Sequence, residues 1–159
     1  MTDTQASKQQ TDSLKLVALD PEDLNIVSAH LQDAVMRVGD LIYLRQERRF
    51  AIVLNRFVWT AEKASRGEAT NQRRRSGLHF ERVQRVQTMN IRQDAPDAVL
   101  NLLAIQFHPT EAAAGTIDLI FSGNGLLRLH VDCIEVQISD LGGAWETPSR
   151  PTHDLEDAG

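Results

Sequence analysis

The spacing of apolar residues changes along the chain from a helical to a strand-like period. Between residues 20 and 30 the apolar positions recur at helical spacing on one stripe, which predicts an amphipathic helix that ends near His30. The stripe consists of Leu24, Val27 and Leu31. Asp20 is a favourable N-cap, and Pro21 suits the first helical position because its missing N–H would be unpaired there.

Beyond residue 33 most apolar residues alternate with polar ones, which predicts β-strands. The strand-like segments are 35–44, 50–59, 78–91, 98–108 and 116–138. Segment 50–59 is apolar on both faces, so it predicts a central strand that is covered on both sides by the domain or by an oligomer interface. The alternation changes parity near Cys133, which predicts a bulge or bend there and a small buried cysteine.

The last of these segments predicts a hairpin, and an earlier segment resembles its start. Asn124 and Gly125 suit the tight turn because both residues tolerate a positive φ. The letters "DLIY" at residues 40–43 are echoed by "DLIF" at residues 118–121, each before a turn and an apolar strand. Two interpretations remain open: a duplication that gives two related hairpin halves, and chance, because this is an ordinary strand opening.

Together these elements predict an α+β fold of mostly antiparallel strands, as a barrel-like or two-layer sheet, with one N-terminal helix. The length of 159 residues and the 42% hydrophobic content suit one globular domain. We place this domain at residues 14–147, between a disordered N-terminal tail, residues 1–13, and an acidic C-terminal tail, residues 148–159. Within it, residues 60–77 lack apolar periodicity and predict a long Arg-rich loop.

Charge is segregated along the chain, although the net charge is only −5. Residues 37–92 contain thirteen Arg or Lys and five Asp or Glu, a local charge of +8, and the segments on both sides are acidic. Arginine dominates this region, and its planar guanidinium pairs well with phosphate or carboxylate groups. The candidate binding residues are Arg66, Arg73, Arg74, Arg75, Arg82 and Arg85.

Three interpretations of these arginines compete. They can lie on solvated strand faces and pair with the acidic C-terminal half of the same molecule. They can form a docking site for an acidic protein partner or a phosphate group. Binding of nucleic acid is disfavoured but not excluded, because the chain is acidic overall and only 5% aromatic, which leaves few side chains for base stacking.

Catalytic chemistry has only weak candidates. Arg128, His130 and Asp132 project from one face of a predicted strand, so a His–Asp pair for proton transfer is geometrically possible. A half-solvated antiparallel strand shows the same polar face without any catalytic role. The sequence therefore leans against an enzyme, with His130 and Asp132 as the residues of a small enzyme if it is one.

Motifs for metals, cofactors and export are not found in the sequence. The five histidines form no HxxxH or HExxH pattern, so we predict no metal site, and no glycine-rich phosphate loop or other cofactor motif precedes a helix. One cysteine allows no intramolecular disulfide. No signal-like stretch and no apolar run of about 18 residues occurs, so we expect a cytoplasmic protein without a membrane span.

Several segments resemble a family of small alphaproteobacterial proteins known as domain of unknown function 2948. They include "LVALDPEDLNIVSAHLQDAVMRVGDLIYL", "ERRFAIVLNRFVW", "RRRSGLHFERVQRV" and "GLLRLHVDCIEVQISDLGGAW", and the resemblance covers roughly residues 14–147. It implies a cytoplasmic location, but no catalytic residue or ligand.

The leading functional hypothesis is thus a non-enzymatic binding or adaptor module that uses the arginines named above against an acidic protein surface or a phosphate group. The alternatives are a small enzyme, a nucleic-acid-binding module and a structural homodimer. The doubly apolar strand with Phe57 and Trp59 would supply the interface of such a dimer.

Overall fold

The computed structural model describes residues 14–58, 72–142 and 145–146, and these ranges contain one α-helix and eleven β-strands. The elements are α1 (Pro21–His30), β1 (Lys15–Ala18), β2 (Val35–Arg37), β3 (Leu41–Leu44), β4 (Arg49–Phe57), β5 (Gln72–Phe80), β6 (Val83–Met89), β7 (Val99–Pro109), β8 (Gly115–Phe121), β9 (Leu126–Val131), β10 (Val136–Asp140) and β11 (Trp145–Glu146). Short 3-10 turns connect β2 to β3, β3 to β4 and β8 to β9. The side chain of Trp59 and both predicted tails, residues 1–13 and 148–159, lie outside the described residues.

The described strands form one antiparallel sheet. Its order is β1-β10-β5-β4-β2-β7-β8-β9-β6, with β3 paired to β4 and β11 paired to β5. The sheet is not closed into a barrel, so the barrel-like alternative is not the one that forms. A dominant antiparallel sheet with one helix confirms the predicted α+β class.

The sheet bends so that its two halves share one core. Strand β5 is followed by β6 after residues 81–82, and β9 by β10 after residues 132–135, although both pairs lie far apart in the strand order. The buried side chains of both halves belong to a single cluster. Its largest fully buried members include Ile52, Leu54, Leu78 and Phe80 from one half and Leu102, Ile105, Ile117, Leu119 and Leu127 from the other. Burial of this apolar surface drives the two halves together.

Helix α1 forms as the sequence predicts. The side chain of Asp20 accepts a hydrogen bond from the backbone N–H of Asp23 at 2.8 Å, and Pro21 occupies the first turn. The predicted apolar stripe of Leu24, Val27 and Leu31 is buried. On the same helix, the hydroxyl oxygen of Ser28 accepts a hydrogen bond from the backbone N–H of Ile105 in β7, which fixes α1 against the sheet.

The predicted loop over residues 60–77 ends earlier than expected, because β5 already begins at Gln72. Residues 73–77 pair along β4, with Arg74 opposite Arg56 and Gly77 opposite Val53. The alternation of this segment was hidden because the inward positions carry Arg74 and Ser76, which hydrogen-bond to Gly142 and Asp140 inside the fold, rather than apolar residues. The remaining residues of the predicted loop, 60–71, lie outside the described residues.

The turn between β8 and β9 shares Asn124 with the prediction but uses Gly123 in place of Gly125. Gly123 and Asn124 have φ values of 75° and 66°, whereas Gly125 has a negative φ of −73°. The turn is therefore one residue longer than a two-residue hairpin, and the N–H of Phe121 donates to the carbonyl of Gly125 at 2.9 Å. The left-handed conformation at position 123 favours glycine.

The two similar segments both form hairpins but occupy different places in the sheet. Residues 41–44 form β3, which pairs only with β4 among the described strands. Residues 118–121 belong to β8, which lies between β7 and β9. This difference argues against an internal duplication.

The parity change near Cys133 marks the passage of the chain between the two halves of the sheet. Strand β9 ends at Val131 and β10 begins at Val136, with no strand between them. Cys133 lies in this connection and is half-buried, so the predicted burial in the apolar face of the hairpin is only partly correct.

We expect Gly115→Ala to lower the free energy of unfolding by about 1–3 kcal/mol, the usual range for overpacking. A Cβ atom at this position would lie 2.4 Å from the carbonyl oxygen of His108 and 2.6 Å from the ring of Phe107, so the β7–β8 hairpin must shift. Gly142→Ala is the control because a Cβ there has no atom within 4 Å. Urea denaturation of both variants tests this, and equal midpoints would contradict it.

Candidate functional site

The structure separates the predicted arginine set into different environments. Arg73 and Arg74 are buried in β5, with exposed fractions of 7% and 8%, whereas Arg75, the next residue, is exposed. The guanidinium carbon of Arg73 lies 4.4 Å from the ring centroid of Phe57, on the opposite face of the strand pair from Arg74. Arg66 lies outside the described residues. The three consecutive arginines therefore do not form one exposed patch.

A buried carboxylate, Asp140, organises the inward-facing arginines. Its two oxygens accept hydrogen bonds from Nε and Nη2 of Arg56 at 3.0 and 2.8 Å, and both side chains are at most 4% exposed. Asp140 also accepts from the hydroxyl of Ser76 at 2.7 Å and from the backbone N–H of Leu14 at 2.6 Å. Arg74 places Nε 3.6 Å from the same carboxylate and donates from Nη1 to the carbonyl of Gly142 at 2.7 Å.

The network around Asp140 connects several strands and has a structural role. Burial alone would raise the pKa of Asp140, but the hydrogen bonds from Arg56, Ser76 and the backbone of residue 14 outweigh it and lower the pKa below its ordinary value. The carboxylate is therefore charged at neutral pH and connects β10 to β4, β5 and the start of the described chain. A carboxylate whose acceptor sites are occupied in this way is not available to a ligand.

Arg82 and Arg85 lie away from Arg73 to Arg75, at the start of the second half of the sheet. Arg82 is exposed and pairs with Glu135 through a contact of 3.1 Å. Arg85 lies in β6 just after a register shift between Val83 and Arg85, and it is also exposed. Arg85 lines a cleft with Arg45 and Arg48, whereas Arg82 lines a neighbouring cleft with Arg48 and four carboxylates.

The cleft beside Arg85 lies between β3 and β6. In the described part of the sheet β3 pairs only with β4 and β6 pairs only with β9, so each strand has an open edge. We call this site the basic cleft. It has a volume of about 360 Å³ and is lined by Tyr43, Arg45, Arg48, Gln84, Arg85 and Val86.

Two hydrogen bonds hold the β3–β4 turn against β6 and so position these arginines. The hydroxyl of Tyr43 donates to the carbonyl of Val83 at 2.7 Å. The backbone N–H of Val83 donates to the carbonyl of Arg48 at 2.8 Å. Arg48 ends the 3-10 turn in a left-handed conformation with a φ of 53°, and Arg45 begins the same turn. The guanidinium carbon of Arg45 lies 5.9 Å from the Tyr43 ring centroid.

The three arginines of the basic cleft differ from their neighbours in having no carboxylate partner. Arg49 pairs with Glu81 at 2.8 Å, and Arg82 pairs with Glu135. Among the described residues, no ion pair involves the side chains that line the basic cleft, namely Arg45, Arg48 and Arg85. Three exposed guanidinium groups around one cleft create a local positive potential that suits an anion.

Two further cavities adjoin the basic cleft on opposite sides. A cavity of about 450 Å³ shares Tyr43 and Val86 with it, and we call it the apolar cavity because most of its lining residues are hydrophobic. The other lining residues of this apolar cavity are Val38, Gly39, Leu41, Phe50, Thr88, Ile91, Gln93, Pro96 and Leu127. A polar cleft of about 250 Å³ shares Arg48 and Gln84 with it and is also lined by Arg82 and by the carboxylates of Glu47, Glu81, Asp132 and Glu135.

His130 and Asp132 bind different partners. Nε2 of His130 lies 2.7 Å from Oε1 of Gln87, and Asp132 accepts a hydrogen bond from Nε2 of Gln84 at 2.8 Å. Burial lowers the pKa of His130, and the positive charges of Arg85 and Arg128 lower it further. The imidazole is therefore neutral at pH 7 and donates to Gln87 in the tautomer that carries the proton on Nε2. The two predicted catalytic residues do not form a hydrogen-bonded pair.

The remaining polar group on this sheet face, Asp118, was not predicted as a site residue. Its carboxylate accepts two hydrogen bonds of 2.9 Å from Arg128 directly opposite on β9, and Nε2 of His108 lies 3.4 Å from it. The bidentate geometry explains how Asp118 is buried on the solvent side of a sheet. The described residues contain no group of three side chains that could hold a metal ion.

Sequence reasoning missed Arg45 and Arg48 because they belong to the short polar turn "RQERR". They lie 40 and 37 positions before Arg85 in the sequence, and only the contact of β3 with β6 brings them together. The excess of arginine in that turn was the available signal. It indicated a solvated turn equally well.

The fold and the cleft define a small antiparallel α+β domain with a basic opening between two edge strands. The chain belongs to the family of proteins of unknown function DUF2948, whose profile matches residues 14–153. A search of curated proteins found no match to the chain. Among the described residues, no helix has the length and apolar character needed to cross a membrane.

Proposed function

We propose that the protein is a non-enzymatic binding module that receives a carboxylate or phosphate group at the basic cleft. The observation that carries this proposal is the convergence of Arg45, Arg48 and Arg85 without carboxylate partners in the described structure. Arginine binds such groups through paired hydrogen bonds. The proposal keeps the arginine-based binding predicted from the sequence but moves it from Arg73–Arg75 to the β3–β6 opening.

The buried arginines support this relocation. Arg56 and Arg74 are engaged by Asp140 and Gly142, and Arg73 stacks on Phe57. An acidic protein surface that met this part of β5 would contact Arg75 alone of the three consecutive arginines. The acidic protein partner and the homodimer remain predictions from the sequence, and nucleic acid remains the disfavoured alternative because Tyr43 is the one aromatic residue that lines the basic cleft.

Inorganic phosphate and acetate should stabilise the protein against thermal unfolding at constant ionic strength, because binding to the folded state adds to its stability. At ten times the dissociation constant the expected gain is about 1.4 kcal/mol. The double variant Arg45→Gln, Arg85→Gln should lose this gain. The matched control is Arg75→Gln, Arg92→Gln, which removes the same charge from two exposed arginines outside the cleft and should keep it.

The comparison of the two double variants distinguishes binding at the basic cleft from a general effect of net charge. Loss of the gain in both double variants would mean that the anion responds to net charge, and loss in the Arg75 and Arg92 variant alone would restore the exposed part of β5 as the binding site. Either result contradicts the proposal, as does a wild-type protein whose unfolding temperature does not respond to phosphate or acetate.

A further inference from the structure

The basic cleft and the apolar cavity are adjacent. Tyr43 and Val86 line both, so the apolar cavity begins where the basic cleft ends. The two volumes, about 360 and 450 Å³, each fall within the range of small-molecule sites, about 300–1,000 Å³. Together they form a site with a charged end and an apolar end.

The walls of the apolar cavity come from both edges of the opening. Leu41 and Tyr43 belong to β3, Val86 and Thr88 to β6, and Ile91 to the segment that follows β6. All of these except Thr88 are partly buried hydrophobic side chains packed against the core. A ligand in this cavity would therefore cover apolar surface that is otherwise open to water, which favours an apolar group.

The polar cleft on the other side sets the direction in which an anionic ligand can extend. Its four carboxylates, Glu47, Glu81, Asp132 and Glu135, outnumber its two arginines, Arg48 and Arg82, so it would repel a second negative charge, and its lining residues are all polar or charged. If Arg45, Arg48 and Arg85 hold the anionic group of a ligand, the rest of that ligand extends more favourably toward the apolar cavity than toward the polar cleft. The charge pattern selects a molecule with one anionic head and one apolar tail.

Building on the proposed function, we propose that the ligand is a small amphipathic anion whose carboxylate or phosphate head lies among Arg45, Arg48 and Arg85 and whose apolar tail enters the cavity beside Leu41, Val86 and Ile91. Carboxylate and phosphate heads share the same recognition chemistry, because arginine offers paired N–H donors to either. Neither edge strand needs to move to admit such a ligand, since both clefts are open to solvent.

Isothermal titration with octanoate, octyl phosphate, 1-octanol, acetate and inorganic phosphate tests this assignment. We expect each eight-carbon anion to bind at least about tenfold more tightly than acetate or phosphate, because burial of two methylene groups already supplies about one tenfold step. The neutral alcohol should bind more weakly than both eight-carbon anions because it lacks the charged head. The ratio between octanoate and octyl phosphate identifies the preferred head group.

Variants locate the two ends of the ligand separately. Thr88→Phe should fill the apolar cavity and abolish the advantage of octanoate over acetate, whereas Met89→Phe, an exposed position on the opposite face of β6, should leave it unchanged. Arg45→Gln with Arg85→Gln should reduce octanoate and acetate binding together. Circular dichroism and urea midpoints verify that each variant is folded, and a second filling variant, Ile91→Phe, replaces Thr88→Phe if that protein does not fold.

Each outcome distinguishes this inference from the function on which it rests. If acetate and phosphate bind at the arginines but octanoate binds no more tightly, the amphipathic ligand is wrong and the anion-binding function stands. If 1-octanol equals octanoate, the charged head plays no part and both are wrong. Sedimentation of the same samples shows whether a second copy of the chain fills the opening, a result that would also overturn the inference.

Discussion

Asp140→Asn is expected to lower the free energy of unfolding by about 3–5 kcal/mol, the range for removal of one partner from a buried ion pair. The carboxylate of Asp140 is 1% exposed and accepts hydrogen bonds from Arg56, Ser76 and the backbone of Leu14. An asparagine offers one acceptor oxygen and turns its NH₂ group toward the Arg56 guanidinium. The variant would therefore leave a buried positive charge without its counterion.

The pH dependence of this difference follows from the lowered pKa of Asp140. A carboxyl group with a lower pKa in the folded state contributes stability above its ordinary value of 3.8 and loses it as the pH falls through the folded-state pKa. The difference in free energy of unfolding between wild type and Asp140→Asn should thus be largest at pH 7 and become smaller below about pH 4. Urea denaturation at pH 7, 5 and 3 measures it.

The control for Asp140 is Asp94→Asn, which removes an exposed carboxylate that pairs loosely with Arg92 at 3.7 Å. Exposed pairs of this kind contribute about 0–1 kcal/mol. Similar losses in the two variants at neutral pH, or a gap that widens in acid, would show that Asp140 does not hold the strands together as described.

Arg74→Ser and Arg75→Ser should differ sharply although the residues are adjacent. Arg74 is buried and donates to the carbonyl of Gly142, so its loss should cost about 2–4 kcal/mol through the charged hydrogen bond and the packing of its side chain. Arg75 points to solvent, and its replacement should change the free energy of unfolding by less than about 0.5 kcal/mol. Urea denaturation of the two single variants measures both values.

The different burial of Arg74 and Arg75 determines which variants can test binding at the three consecutive arginines. A combined replacement of Arg73, Arg74 and Arg75 would remove two buried side chains, so a loss of binding in that protein would reflect loss of structure. The burial of Arg73 and Arg74 therefore makes the combined variant unsuitable as a binding test. Equal stabilities of the Arg74 and Arg75 variants would contradict the burial pattern of β5.

Local signals predicted the helix and most strands. The N-cap of Asp20 and the stripe of Leu24, Val27 and Leu31 act within a few residues, so they are readable without knowledge of the tertiary structure. The hairpin of β8 and β9 was also readable, but its left-handed residues lie at Gly123 and Asn124 rather than at Gly125. Gly123 permits a longer turn that the Asn-Gly signal does not encode.

The first residues of β5 could not be predicted because their partners are distant in the sequence. Arg74 and Ser76 occupy inward positions that normally carry apolar residues, and Asp140, more than sixty positions away, accepts a hydrogen bond from Ser76 and lies 3.6 Å from Nε of Arg74. The basic cleft was hidden for the same reason. Arg45 and Arg48 meet Arg85 only because Tyr43 and Val83 connect β3 to β6.

Three groups of arginines from the positively charged region have different environments in the folded chain. Arg56 and Arg74 are buried against Asp140, and Arg49 and Arg82 form surface pairs. The arginines of the basic cleft form no ion pair among the described residues. The pairs with Asp140 and Glu135 match the hypothesis that the arginines pair with the acidic C-terminal half of the same molecule, whereas Glu81 lies within the positive region. The third group is the one that supports binding to another molecule.

The most direct test of the central claim is nuclear magnetic resonance of the arginine Nε–Hε groups during a titration with octyl phosphate. The account predicts saturable shifts in the signals of Arg45, Arg48 and Arg85, with the signals of Arg75 and Arg92 unchanged. Shifts confined to Arg75 would return the binding site to β5, and the absence of saturable shifts in the cleft arginines would show that the β3–β6 opening does not receive an anionic group.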